Sequence, residues 1–344
     1  MKALFIGGTG TISTEISRLA VSLGWELFLL NRGNKSERLQ SVQGVSFINA
    51  DISNEDNVKS RLSGLTFDVV VNFINYIPEQ VERDIRQFSG RTRQYIFISS
   101  ASAYQKPLSD YRITESTPLA NPYWQYSRDK IECEKVLMDE YRKNGFPATI
   151  VRPSHTYYDY SIPVGLHGEK GSWQVARRML DGKPVIVQGD GTSLWTMTRS
   201  EDFARGFAGL MGNIHAIGEA VQITSDESLT WNQIYECIGG ALGVKPKLCH
   251  ISTDFLTACE PSFEGGLKGD KANTVVFDNS KLKRLVPGFN ASIRFDQGVR
   301  KTVDYILSHE SLQIEDLDFD KWCDAVISAH EEGIRVYKRL KDKK

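Results

Sequence analysis

The chain has 344 residues, 40% of them hydrophobic and 25% charged, with a formal net charge of −1. That balance excludes an unfolded polyelectrolyte and gives no bulk attraction to nucleic acid or to an anionic membrane. Five scattered cysteines without a C-x-x-C argue against a disulfide framework or a zinc knot, and for a reducing cytoplasm.

The length suits one large or two coupled domains. The apolar run 3–6 is too short for a signal segment, and no apolar stretch reaches the roughly 18 residues that a membrane span needs. Taken in chain order, apolar runs at 3–6, 27–30, 45–48, 69–71, 95–98 and 148–151 predict strands buried on both faces of a parallel sheet. Between them Ile12, Ile16, Leu19 and Ala20 form one helical stripe, and Val81, Ile85 and Phe88 form another. This alternation predicts an α/β fold with a doubly wound parallel sheet. Beyond Arg152 the rhythm loosens. Helices are expected near 173–180, 231–242 and 297–307, a second βα-like stretch at about 200–224, and a charged helical tail. The expected organisation is therefore interleaved. Residues 1–155 plus about 200–224 form a dinucleotide-binding domain. About 156–199 plus 225–310 form a smaller substrate domain, and 311–344 a helical C-terminal extension.

The loop Gly7-Gly8-Thr9-Gly10-Thr11-Ile12-Ser13 follows the first strand and opens the first helix. This is the setting in which glycines let the backbone approach a pyrophosphate at a helix N-terminus. Gly7 would make the tight turn and Gly10 the close approach, with small Ser13 in the third glycine slot. The second strand ends Asn31-Arg32-Gly33, with Lys35 nearby. A carboxylate there would accept from the ribose of NAD, whereas a guanidinium holds a 2′-phosphate, so NADP is favoured over NAD. Asp51, after the third strand, is placed either to accept from an adenine amino group or to cap the next helix.

Tyr126-x-x-x-Lys130 lies in a helical stretch, so both side chains share one face. A lysine one turn from a tyrosine lowers the phenol pKa, and such a tyrosine exchanges a proton with a substrate oxygen while hydride moves to or from nicotinamide. The fifth strand ends in the hydroxyl-rich run Ser99-Ser100-Ala101-Ser102-Ala103-Tyr104 at the sheet edge where such folds bind ligands. Six histidines are scattered without ligand-pair spacing, so no metal site is expected.

Together these motifs resemble the extended short-chain dehydrogenase/reductase family, in its NAD-dependent epimerase/dehydratase branch, over about 1–310. The matching elements are the glycine loop, Ser-Ser-x-x-x-Tyr, Tyr126-x-x-x-Lys130, Val151-Arg152-Pro153-Ser154-His155, Gly189-Asp190-Gly191 leading to Asp202-Phe203-Ala204, and Phe277-Asp278-Asn279-Ser280-Lys281. The resemblance implies a Rossmann-type fold and an enzyme acting on a hydroxyl or carbonyl carbon of a sugar-like or other small substrate. It implies Tyr126 as acid/base, Lys130 as its partner at the nicotinamide ribose, and Ser100 as the catalytic hydroxyl. Cofactor contacts would come from Gly7, Thr9, Gly10, Thr11, Ile12, Asn31, Arg32, Asp51, Ile52, Asn72, Phe73, Ile74, Ser99 and Pro153. Substrate contacts would come from Ser102, Tyr104, His155 and Trp195. The family's diphosphate-binding arginines are replaced here, by Trp195 in one segment and by the Gly266-Leu267-Lys268-Gly269-Asp270 run in another. The Tyr157, Tyr158, Tyr160, Trp173 and Trp195 set reads either as an aromatic pocket or as core. Alternatives are a non-catalytic NAD(P)-binding regulator and an RNA-binding relative of the same fold. A homodimer is possible by analogy, and neither nucleic acid nor membrane is an expected partner.

Overall fold

The computed structural model describes residues 1–32 and 44–342, so Gly33 and Lys35 lie outside the described residues. Seven parallel strands form one sheet: β1 (Lys2–Ile6), β2 (Glu26–Asn31), β3 (Val45–Asn49), β4 (Val69–Asn72), β5 (Tyr95–Ile98), β6 (Ala148–Pro153) and β7 (Ala220–Ile223). Their order is β7-β6-β5-β4-β1-β2-β3. The order reverses between β1 and β4, and doubly wound sheets open a crevice at that switch point.

The apolar runs become strands because both faces are covered. Helices α1 (Ser13–Ser22) and α5 (Ser200–Leu210) close one face over Phe5, Leu29, Val71 and Ile96. Helices α2 (Glu55–Arg61), α3 (Pro78–Phe88) and α4 (Gln125–Asn144) close the other over Leu4, Val70, Tyr95 and Phe97. The edge strand β3 departs from the expectation of two-faced burial: Ser46, Phe47 and Asn49 are exposed, because only β2 flanks it. Helix α3 starts where Pro78 fixes the first-turn backbone and Gln80 Oε1 accepts from the Tyr76 N–H at 2.6 Å.

The chain divides into two compact units. The first holds Met1–Thr156, Met197–Asp226 and Phe277–Ser292, and the second Tyr157–Thr196, Glu227–Val276 and Ile293–Lys344. Residues 277–292 differ from the sequence expectation, which gave them to the substrate domain. They join the first unit because Asn279 Nδ2 donates to Thr224 O and Asp226 Oδ1, both at 3.0 Å, while Leu282 and Phe289 enter the core beside α5.

The stretch 311–344 also differs from a separate extension. Its helix, Leu317–Lys341, belongs to the second unit, where Arg178 holds Asp320 at 2.6 Å and Asp324 at 2.7 Å. Among the described residues no helix is long and apolar enough to cross a membrane.

Candidate active site

A cavity of about 710 Å³ opens at the carboxyl edge of the sheet beside the switch point. Its walls bring together Gly7, Thr9, Gly10, Thr11, Ile12, Asn31, Arg32, Asp51, Ile52, Phe73 and Ile74 from the loops after four strands. The Gly7 backbone has φ +84°, and a Cβ there would meet Ile74 Cγ2 at 2.5 Å, so the turn admits glycine alone. At Gly10 a Cβ would meet only Ser13 Oγ, at 3.5 Å, which leaves the backbone open to the cavity. Ser13 Oγ accepts from the Gly10 N–H at 2.8 Å and donates to Gly7 O at 3.1 Å. It thus knots the loop where a third glycine would only have made room. Ile12 precedes α1 and offers no side-chain cap to the first turn, where the Thr14 N–H donates to Gly10 O at 3.0 Å; an uncapped helix start of this kind suits an anion.

Asp51 does not cap α2; Asn54 does, accepting from the Asn57 N–H at 3.0 Å. Asp51 Oδ1 accepts instead from Ser53 N–H at 2.9 Å and Ser53 Oγ at 2.7 Å. Those bonds hold its carboxyl below the usual range, with Arg32 and Arg83 adding to the effect.

The tyrosine–lysine pair lies at the start of α4. Lys130 is buried, and its Nζ donates to Asn75 O at 2.5 Å and Ile98 O at 2.7 Å, spanning the exits of β4 and β5. The ammonium lies 4.8 Å from the Tyr76 ring centroid and 5.7 Å from that of Tyr126. Burial lowers the Lys130 pKa to about 8. Tyr126 is half-buried, its ring 5.0 Å from Trp124 and 6.4 Å from Tyr76. Ser127 Oγ donates to Ser102 Oγ at 2.7 Å, and Ser102 Oγ lies 2.9 Å from Ser100 Oγ. This chain of hydroxyls ties the half-buried Ser100 to the helix that carries Tyr126 and Lys130.

Several residues expected at the site are buried, with side chains engaged by other parts of the chain. Ser99 Oγ donates to Glu134 Oε1 at 2.5 Å, and Glu134 is clamped by Arg152 at 2.9 and 2.6 Å, so Ser99 is consumed by an interior ion pair. Tyr104 is wholly buried, its hydroxyl donating to Gln222 Oε1 at 2.8 Å and its ring 4.9 Å from the Arg152 guanidinium. Ser102 is buried and spent in the hydroxyl chain. Asn72 is buried too: its Nδ2 reaches Asp84 at 2.5 Å and Asn75 at 3.0 Å, and its Oδ1 accepts from the Ile74 N–H at 2.8 Å, so it shapes the cavity wall from behind. Pro153 is buried at the end of β6, opposite Ile223, and His155 is half-buried two residues on. Trp195 is 2% exposed inside the second unit, stacked on Trp231 at 5.4 Å. Trp173 and Tyr157 are also buried there, Tyr157 edge-on to Phe295, which favours the core reading of the aromatic set.

Sequence reading missed Tyr76, Gln80 and Arg83, which also line the cavity. Arg83 is 8% exposed, held by Asp84 Oδ1 at 2.8 Å and Asn75 Oδ1 at 3.0 Å. Asp84 accepts in addition from Asn72, Asn75 and Tyr95. Desolvation pushes its carboxyl pKa up, while Arg83 and the hydroxyl and amide donors favour the charged form. The available signal was Asp84 itself, a carboxylate three residues after Val81 on the apolar stripe, where a core side chain was due.

The model of the NAD dependent epimerase/dehydratase family matches residues 3–223. The chain belongs to that family, as its resemblance to extended short-chain dehydrogenases/reductases implied. Among curated proteins it is 24% identical to 2′-dehydrokanamycin reductase of Streptomyces kanamyceticus, over 84% of this chain and 80% of that one. It is 28% identical to chloroplast stem-loop binding protein of 41 kDa b of Arabidopsis thaliana, over 73% of this chain and 66% of that one. The structure of dTDP-glucose 4,6-dehydratase from Bacillus anthracis, in complex with NAD, superposes with a TM-score of 0.72 at 17% identity, covering 91% of this chain and 98% of that one. That likeness shows the fold.

Proposed function

We propose that the chain is an oxidoreductase that prefers NADP(H) to NAD(H) and acts on a hydroxyl-bearing or carbonyl carbon of a sugar-like substrate. The observation that carries the cofactor preference is the exposed Arg32 on the wall of the cavity, where Asp51, the one lining carboxylate among the described residues, is turned onto Ser53. A guanidinium there favours a 2′-phosphate that a ribose-binding carboxylate would repel. The open backbone at Gly10 and the uncapped start of α1 fit a pyrophosphate. Cofactor binding thus falls to the first unit. Names of similar proteins, a kanamycin-type reductase and a nucleotide-sugar dehydratase, support a sugar-like substrate.

Bound nicotinamide supplies or accepts the hydride. Tyr126 gives or takes the proton at its phenolic oxygen. Lys130, pinned by two carbonyls, holds positive charge beside that ring and favours the oxyanion. Ser100, oriented by Ser102, positions the substrate oxygen.

Titration of purified, nucleotide-free protein with NADPH and NADH, followed by nicotinamide fluorescence, tests the reading. NADPH is expected to bind more tightly, and Arg32→Ala to cost NADPH about 10- to 100-fold while sparing NADH. Equal or tighter NADH binding overturns the preference. A second reading, RNA binding, is favoured by the stem-loop binding relative. It requires a salt-sensitive shift of a stem-loop RNA by the chain.

A further inference from the structure

The helix Leu317–Lys341 changes character along its length. Phe319, Cys323, Val326 and Ile327 are buried in the second unit, and His330 meets Phe255 edge-on at 6.1 Å. Every described residue from Glu331 to Asp342 is exposed, yet the apolar stripe continues: Ile334 is 46%, Tyr337 68% and Leu340 60% exposed. About three turns of helix with no tertiary support are marginal in water. The intrahelical pairs Arg335–Glu331 and Arg335–Glu332, at 3.0 and 3.1 Å, add only tenths of a kcal/mol each by themselves.

The spacing of the stripe is regular. Ile327, His330, Ile334, Tyr337 and Lys341 recur at intervals of three and four, which places them on one seam. Glu331 and Lys338 flank that seam on the same side, one heptad apart, and Lys338 has no acidic partner among the described residues. A partner helix running antiparallel with the same sequence would set Ile334 against Tyr337 in two layers related by a two-fold axis. It would also set Glu331 against Lys338 twice. The surface is thus complementary to itself.

We propose that this exposed helix end pairs with the same segment of a second copy of the chain as a two-fold, antiparallel helix pair. The seam is short of the roughly 800 Å² per partner of a standard interface, so the pair dissociates on dilution.

Sedimentation equilibrium of the full chain over a concentration series tests this. A monomer–dimer equilibrium is expected. Ile334→Glu and Tyr337→Glu shift it to monomer; both sites are exposed, so circular dichroism and thermal unfolding of the monomer stay as they were. Glu331→Lys and Lys338→Glu each raise the dissociation constant about tenfold or more, and the double exchange restores it. The proposal is overturned by a chain that stays monomeric throughout. It is equally overturned by a dimer that Tyr337→Glu leaves unmoved, by a double exchange that fails to restore the dimer, or by a monomer that uses this segment on lipid vesicles.

Discussion

After β1, β2 and β4 the chain lines the cavity: with backbone at Gly7 and Gly10 in the loop, and with Arg32 beyond β2 and Ile74 and Tyr76 beyond β4. After β5 and β6 the side chains close on one another. Ser99, Glu134 and Arg152 form one buried set, Tyr104 and Gln222 a second, and Ser102 and Ser127 a third. Both stretches lie on the carboxyl edge of the same sheet. The first is built to receive a ligand. The second is built to hold α4 still, because Glu134 lies one turn beyond Lys130 and is locked to two strands at once. A hydroxyl at a strand end is therefore a poor guide to a contact unless its own partners are known.

The largest effect separating these roles is expected at Tyr126. Tyr126→Phe should lower kcat by about 10²- to 10⁴-fold and leave the NADPH titration unchanged, since only the proton-transferring oxygen is removed. Retained turnover would sink its assigned role. Glu134→Ala should be felt first as instability. It leaves the Arg152 guanidinium buried without its carboxylate, a loss of about 3–5 kcal/mol, read as a lowered thermal midpoint. A stable variant would mean that the closed half of the edge is less dependent on its ion pair than its burial implies.

Lys130 yields a pH prediction. With its folded pKa near 8, kcat/KM should fall about tenfold per pH unit above pH 8 as the ammonium is lost, and Lys130→Met should abolish turnover. The folded value lies below the ordinary 10.5, so the unfolded chain binds more protons between about pH 8 and 10.5. Through that window this group raises stability as pH climbs, so its deprotonation lowers the rate without itself unfolding the chain. The smallest effect is expected at Tyr104→Phe: about 1–2 kcal/mol of stability for the stranded Gln222 oxygen, with KM unchanged. A changed KM would instead place Tyr104 among the substrate contacts.

The sheet was legible because strands of a parallel sheet are written as short apolar runs, and six of the seven strands were found that way, the exposed edge strand β3 among them. The residues of the open half were also marked in the sequence, by glycines at the junction of the first strand and helix and by Arg32 just beyond the second strand, and the structure brings them to one cavity. What was hidden is what long-range pairing decides. Asp84 stands out on the apolar stripe of its helix, but its partners Asn72, Asn75 and Tyr95 come from other parts of the chain and are visible only in the fold. Ser99 and Tyr104 read as ligands until Glu134 and Gln222 arrive from elsewhere in the chain. Residues 277–292 lack a strong period of their own and were placed by proximity in sequence.

The first unit is assembled from three separated stretches of chain, and this sets an order of synthesis. Six of its strands have been translated by Pro153, but β7 emerges only after the whole of Tyr157–Thr196, and Asn279, which grips Thr224, later still. Until then the outer edge of β6 has no partner, and an unpaired apolar strand edge invites association with other chains. A nascent chain or a truncated fragment ending near residue 156 therefore carries the glycine loop, the tyrosine and the lysine, yet lacks the strand that closes its sheet.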